Sequence, residues 1–172
     1  MTPPGSVRTD PNSTIVGRGQ QGARPSGYGA TTINSCLDKA YLAENEGSPA
    51  VGERAAGYQW AKNTVNGWGC GNDKYWIKAC HLLPKQVSGT GRDLADLSAC
   101  TRPTNFWVRG ADCSDENFRT YETAVSKAVA RNHVVRYSVR PNYTGDRVVA
   151  DSWTFTRPHG ERTANHTYSS TM

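Results

Sequence analysis

The sequence predicts a mixed α+β domain with a small antiparallel sheet, and three segments carry that prediction. Phe118 to Arg131 sets Phe118, Tyr121, Val125, Ala128 and Val129 at helical spacing. Val134 to Val139 is β-branched and aromatic, Asn142-Tyr143-Thr144-Gly145-Asp146 turns the chain, and Val148 to Phe155 returns it, which is the pattern of a hairpin. Lys74 to Cys80 reads as a short strand ending at His81.

The remaining elements follow in order. Thr32 to Asn45 reads as a helix, with Ile33, Cys36, Leu37, Ala40 and Tyr41 on one stripe and Gly47-Ser48-Pro49 as its stop. Gly57 to Gly71 mixes Tyr58, Trp60 and Trp68 with glycines and reads as loop with aromatic anchors. Leu82 to Val87 leads into a flexible Ser88-Gly89-Thr90-Gly91 connection, and Asp93 to Thr101 fits either helix or irregular chain. Ser114 or Asp115 is placed to cap the 118–131 helix, and Arg131-Asn132 to end it.

At 172 residues the chain is long enough for one domain with its own core. Residues 1–26 are dominated by Pro, Gly, Ser, Thr, Asn and Gln and read as a flexible lead-in. Residues 27–158 form the expected domain, and 159–172 a polar, frayed tail. No apolar run approaches the roughly 20 residues of a membrane span. The N-terminus lacks a signal-peptide pattern, so export would rest on a segment already removed or on something outside this chain.

Twenty Lys and Arg oppose fifteen Asp and Glu, for a net charge of +5. Lys74, Lys78, Lys85, Arg92, Arg102 and Arg109 are opposed between them only by Asp93 and Asp96; Arg131, Arg136, Arg140 and Arg147 form a second group. This is either an ordinary mixed surface or a phosphate-attracting face. Five cysteines without a CxxC pair argue against structural zinc and for two disulfides plus one free thiol, hence an oxidising destination. Cys80–Cys100 is the first choice of pair, because it would clamp the two halves of the segment that holds His81 and Asn105. Cys70–Cys113 is the second.

That segment carries the chemistry. His81 stands at one end and Asn105 at the other, with basic residues between. Phosphodiester hydrolysis needs a base for the attacking water, and an imidazole titrating near 6.5 suits it. It also needs positive charge against the phosphoryl oxygens. Magnesium keeps several waters, so one protein amide plus phosphate oxygens can hold it. The segment has no carboxylate cluster of the kind a two-metal nuclease requires.

The run from His81 to Glu122 resembles the His-metal finger of the DNA/RNA non-specific endonucleases, and more closely their secreted and toxin-associated DNA-entry branch. In that family a strand delivers Asp-Arg-Gly-His. A segment of the type Asn-Leu-Ile-Thr-Gly-Thr-Arg-Tyr-Phe-Asn follows, then a helix with an aromatic-Glu pair and a hairpin like Val-Leu-Tyr-Arg-Val-Thr-Pro. Here the histidine falls on His81, Thr-Arg on Thr101-Arg102, the last asparagine on Asn105 and the aromatic-Glu pair on Tyr121-Glu122. The hairpin falls on Val134 to Pro141. The resemblance implies a ββα-metal core with His81 as general base, Asn105 as ligand to magnesium (or manganese or calcium in its place) and Glu122 orienting the hydrated ion. Arg102 is implied as a phosphate contact. Lys78, Lys85 and Arg136 are the further candidates for binding the DNA or RNA backbone. The family's Asp-Arg-Gly is Lys78-Ala79-Cys80 here, and the first Asn of its second segment is Asp96.

The implied activity is magnesium-dependent cleavage of DNA and RNA without base preference, by a secreted scavenger or by a delivered toxin met by an immunity protein. Two rivals stand. One is a metal-independent ribonuclease pairing His81 with a second acid such as His133. The other is a non-enzymatic, disulfide-stapled secreted binding module that uses its Trp-rich loops for glycan or protein contacts. Trp107, near Asn105, is placed to stack on a base.

Overall fold

The computed structural model describes residues 7–9, 29–50, 55–64, 77–106, 117–143, 149–157 and 160–164. In chain order its elements are β1 (Val7–Thr9), β2 (Ile33–Leu37), α1 (Lys39–Glu44), α2 (Tyr58–Thr64), β3 (Ile77–His81), β4 (Leu97–Thr101), α3 (Arg102–Asn105), α4 (Phe118–Ala130), β5 (Val135–Asn142), β6 (Ser152–Arg157) and β7 (Gly160–Ala164). Single 3-10 turns lie at Lys85–Val87 and Leu94–Asp96. The strands form an antiparallel five-stranded sheet in the order β1-β2-β5-β6-β7 and a separate two-stranded hairpin, β3-β4. The α+β class expected from the sequence holds.

The expected helix over 32–45 is a strand followed by a helix. Ile33, Ser35 and Leu37 are buried and Asn34 is exposed, so alternation governs this stretch. Ser35 hides the alternation because a hydroxyl occupies a core position, while Ile33, Leu37, Ala40 and Tyr41 together imitate a helical stripe. The helix itself starts at Lys39, where the Asp38 carboxylate accepts the Tyr41 N–H at 2.8 Å. Residues 57–71, read as loop, contain α2, whose Tyr58 hydroxyl donates to the Ile77 carbonyl at 3.2 Å. Val7–Thr9 and Gly160–Ala164, inside the stretches read as lead-in and tail, are the two edge strands of the large sheet.

The helix read over 118–131 spans Phe118–Ala130 and buries Phe118, Tyr121 and Val129. Its cap is Asn117, not Ser114 or Asp115: the Asn117 side chain accepts the Thr120 N–H at 3.1 Å. The chain leaves the helix through Arg131 and through Asn132 at φ 63°. The buried face of α4 covers one face of the sheet. Phe118 meets Trp153 edge-on at 5.3 Å and Phe155 at 5.1 Å, and Tyr121 stacks on Phe155 at 4.2 Å. Full burial of each of these large apolar side chains stabilises the fold by about 2 kcal/mol or more. The hairpin read from Val134 to Phe155 is present as β5 and β6.

Asp93 to Thr101, read as helix or irregular, holds the second strand of the small hairpin. Leu97, Ser98, Ala99 and Cys100 are all buried, so neither face alternates with solvent and no periodic signal exists to read. Register pairs Ile77 with Thr101 and His81 with Leu97. The expected Cys80–Cys100 disulfide bridges the two strands with Cα atoms 5.9 Å apart. Cys36 is a free thiol, while Cys70 and Cys113 lie outside the described residues. The hairpin is tied to the large sheet by the Trp153 indole N–H, which donates to Ser98 Oγ at 3.2 Å.

Candidate active site

His81 is the last residue of β3 and half-buried. Its Nε2 lies 2.9 Å from the Ser48 carbonyl oxygen. A carbonyl only accepts, so Nε2 carries the proton and Nδ1 presents its lone pair. Burial lowers the imidazole pKa below its ordinary 6.5; the Ser48 carbonyl pulls the other way, and the nearby Lys85 ammonium adds to the lowering. The ring is therefore held neutral, in one tautomer, near physiological pH.

The Ser48 loop is fixed by main chain. Ser48 N–H donates to the Gly89 carbonyl at 3.0 Å, and Gly91 N–H donates to Ser48 Oγ at 3.0 Å. Gly47, Gly89 and Gly91 let the backbones touch: a Cβ on any of them would run into the carbonyl of Lys85, Leu83 or Pro49 respectively. The 88–91 connection, read as flexible, is thus a packed seam. Ser88 sits at its corner with φ 77° and donates through its hydroxyl to the Asn45 carbonyl at 2.6 Å.

Asn105 ends α3, a single turn that follows β4 directly. Thr101 caps it: its Oγ1 accepts the Thr104 N–H at 3.4 Å and lies 2.7 Å from Thr104 Oγ1, while Pro103 sets the first turn. The helix packs against β3, β4 and α4, so the strand bearing His81 and the turn bearing Asn105 belong to one strand-strand-helix unit. Phe106 follows with 49% of its surface exposed, held by its N–H to the Arg102 carbonyl at 2.8 Å. Trp107, read as a base-stacking residue, lies outside the described residues.

Other predicted residues divide between this unit and elsewhere. Lys78 on β3 and Arg102 at the start of α3 belong to the unit and are half-buried; Lys85 is exposed in the turn beyond His81. Glu122 on α4 pairs with Arg119 at 3.5 Å. Burial raises its pKa, while Arg119 and a hydrogen bond to Gln86 pull it back. It therefore touches the loop after His81 rather than open solvent. Arg136 falls on the face of β5 opposite Tyr137, whose hydroxyl donates to the Leu82 carbonyl at 2.6 Å, so the structure does not bring Arg136 to the His81 loop. His133 and Arg136 instead line an open cleft of about 470 Å³ between α4 and β5. No group of three or more His, Cys, Asp or Glu side chains that could hold a metal occurs among the described residues.

Two residues of the site were missed. Ser48 acts through its main-chain carbonyl, which leaves no side-chain signature. Asp96 was read as a counter-charge and as a departure from the family pattern, yet it is 3% exposed and accepts the Leu83 and Thr90 N–H groups.

No protein-family model and no curated protein sequence matches the chain. Solved structures do. NucA from Streptococcus agalactiae with magnesium bound superposes with a TM-score of 0.52 at 23% identity, over 96% of this chain and 72% of that one. The Sda1 nuclease with bound zinc superposes with a TM-score of 0.56 at 12% identity, over 92% and 70%. The chain thus has the fold of these nucleases.

Proposed function

We propose that this chain is a metal-dependent endonuclease that hydrolyses the phosphodiester bonds of DNA and RNA without base preference. The observation that carries the reading is the His81 ring: fixed in one tautomer by Ser48, kept neutral by burial, and mounted on the hairpin against which the turn of Asn105 packs. His81 Nδ1 takes the proton of the attacking water while Nε2–H stays on the Ser48 carbonyl. Lys78 and Arg102 hold phosphate oxygens. Such backbone contacts place a strand without reading its bases. Phe106 offers an exposed ring for stacking.

The donor set fits one hydrated hard cation and not a metal cage. Asn105 supplies an amide oxygen, Glu122 a carboxylate that can orient bound water, and no carboxylate cluster accompanies them among the described residues. When bound, the ion would stabilise charge on the phosphoryl and leaving oxygens. The folds of magnesium-bound NucA and zinc-bound Sda1 support a divalent metal in this reading. The buried disulfide favours action outside the producing cell. No helix among the described residues is long and apolar enough to cross a membrane.

Plasmid nicking with magnesium tests the reading. His81→Ala should slow cleavage about 1000-fold, and Asn105→Ala should abolish the response to added metal, both with unchanged circular dichroism. The acid limb of the wild-type rate profile should lie below pH 6.5, because the lowered pKa leaves the base unprotonated there. Full RNA cleavage in a chelator would overturn the reading in favour of the metal-independent ribonuclease; nucleic-acid binding without turnover would favour the binding module.

A further inference from the structure

We propose that Asp96 is the positioning residue of His81, closing a ring of contacts that holds the imidazole on both sides; its catalytic consequence rests on the nuclease reading above. Asp96 ends the 3-10 turn ahead of β4, where the Asp93 carboxylate steadies the chain by accepting the Ala95 N–H at 2.9 Å. Its Oδ1 accepts the Leu83 N–H at 2.5 Å and its Oδ2 the Thr90 N–H at 2.7 Å. Its main-chain carbonyl accepts the Leu82 N–H at 2.8 Å.

Two routes therefore run from His81 to this one side chain. Along the chain, Leu82 and Leu83 follow His81 directly and end on Asp96. Through space, His81 Nε2 reaches the Ser48 carbonyl, Ser48 is gripped by Gly89 and Gly91, and Thr90 between them ends on the other oxygen of Asp96. Removing the carboxylate opens the ring at both ends and frees the ring nitrogen's partner as well as the strand end that carries it.

A buried carboxylate is a costly element for a turn, and an amide cannot replace it, since an amide offers one accepting oxygen where two N–H groups converge. Asp93 from its own turn and Tyr137 from β5 are the titratable groups that act on it, and Glu122 from α4 acts in turn on Tyr137. Burial pushes its carboxyl up to about 8, with the Leu83, Thr90 and Leu82 N–H groups pulling it down and Asp93 pushing it up. A proton on Asp96 weakens one acceptor without removing it, so the ring persists through neutral pH and is tightest when Asp96 is ionised. Its contribution to stability runs the other way. A carboxyl raised in the folded state stabilises it most at low pH and loses that contribution between about pH 4 and 8.

The test is Asp96→Asn in the full chain, read by plasmid cleavage with magnesium and by nitrogen-15 NMR of the His81 ring. We expect kcat to fall about 10- to 100-fold and KM to stay within about twofold, with the single Nε2–H tautomer replaced by an average of both. The core variant Val129→Ala, matched for loss of stability, should leave the tautomer and kcat intact. Wild-type kcat in Asp96→Asn, an unchanged tautomer, or the same loss in Val129→Ala would overturn the proposal. If Asp96→Asn does not fold, the wild type still decides. On titration the Leu83 and Thr90 amide protons and the His81 ring should move together with one midpoint, and amides that move without the ring would overturn it. An inactive wild type that still shows this linkage would sink the nuclease reading alone.

Discussion

The small hairpin and the large sheet are held together by different means. Around α4 the five-stranded sheet buries Phe118, Tyr121, Trp153 and Phe155 in mutual ring contact, and its stability comes from apolar area. The β3-β4 hairpin has the small Ser98, Ala99 and Cys100 at its centre and adds a disulfide and a hydrogen bond from Trp153 to its apolar contacts. His81 and the turn that carries Asn105 belong to the second region, with Glu122 reaching over from α4. A core of packed rings tolerates small shifts, whereas directional bonds fix a ring nitrogen at one place, and proton transfer needs the latter.

Three variants sharpen or break this contrast. Phe118→Ala should cost about 3–5 kcal/mol in denaturant unfolding yet leave kcat of the folded protein near wild type; a large kcat loss at temperatures where it stays folded would mean that the sheet does more than support. Replacing both Cys80 and Cys100 with alanine releases a cross-link over 20 residues. It should cost about 3 kcal/mol, with a loss of activity that exceeds the fraction unfolded. Tyr137→Phe sits where the two regions meet. It leaves the Leu82 carbonyl without its donor and should cost about 1–3 kcal/mol, with a drop in kcat of a few-fold measurable by the same nicking assay.

Legibility follows the same divide. The α4 helix and the β5-β6 hairpin were readable because one face of each meets a core and the other meets solvent, which writes a period into the residues. Strand β4 was not, since Leu97 to Cys100 are buried without alternation, and β2 was misread because Ser35 occupies a core position. The Cys80–Cys100 pair could be named from residue type and order, the same signals on which His81 and Asn105 are proposed. Arg136 was grouped by charge, which carries no information about the face of a strand it occupies. Ser48 was invisible because every residue has a carbonyl, and Asp96 because its worth depends on two N–H groups 6 and 13 positions away.

The glycine seam beside His81 has a consequence for how this protein can change. With no side chains at Gly47, Gly89 and Gly91, trimming mutations have nothing to remove, and only additions do harm. Even alanine would wedge the two strands of backbone apart and swing the Ser48 oxygen off the ring. Directed evolution of the protein should therefore find these three codons frozen, while the exposed Lys85 and Phe106 stay open to change.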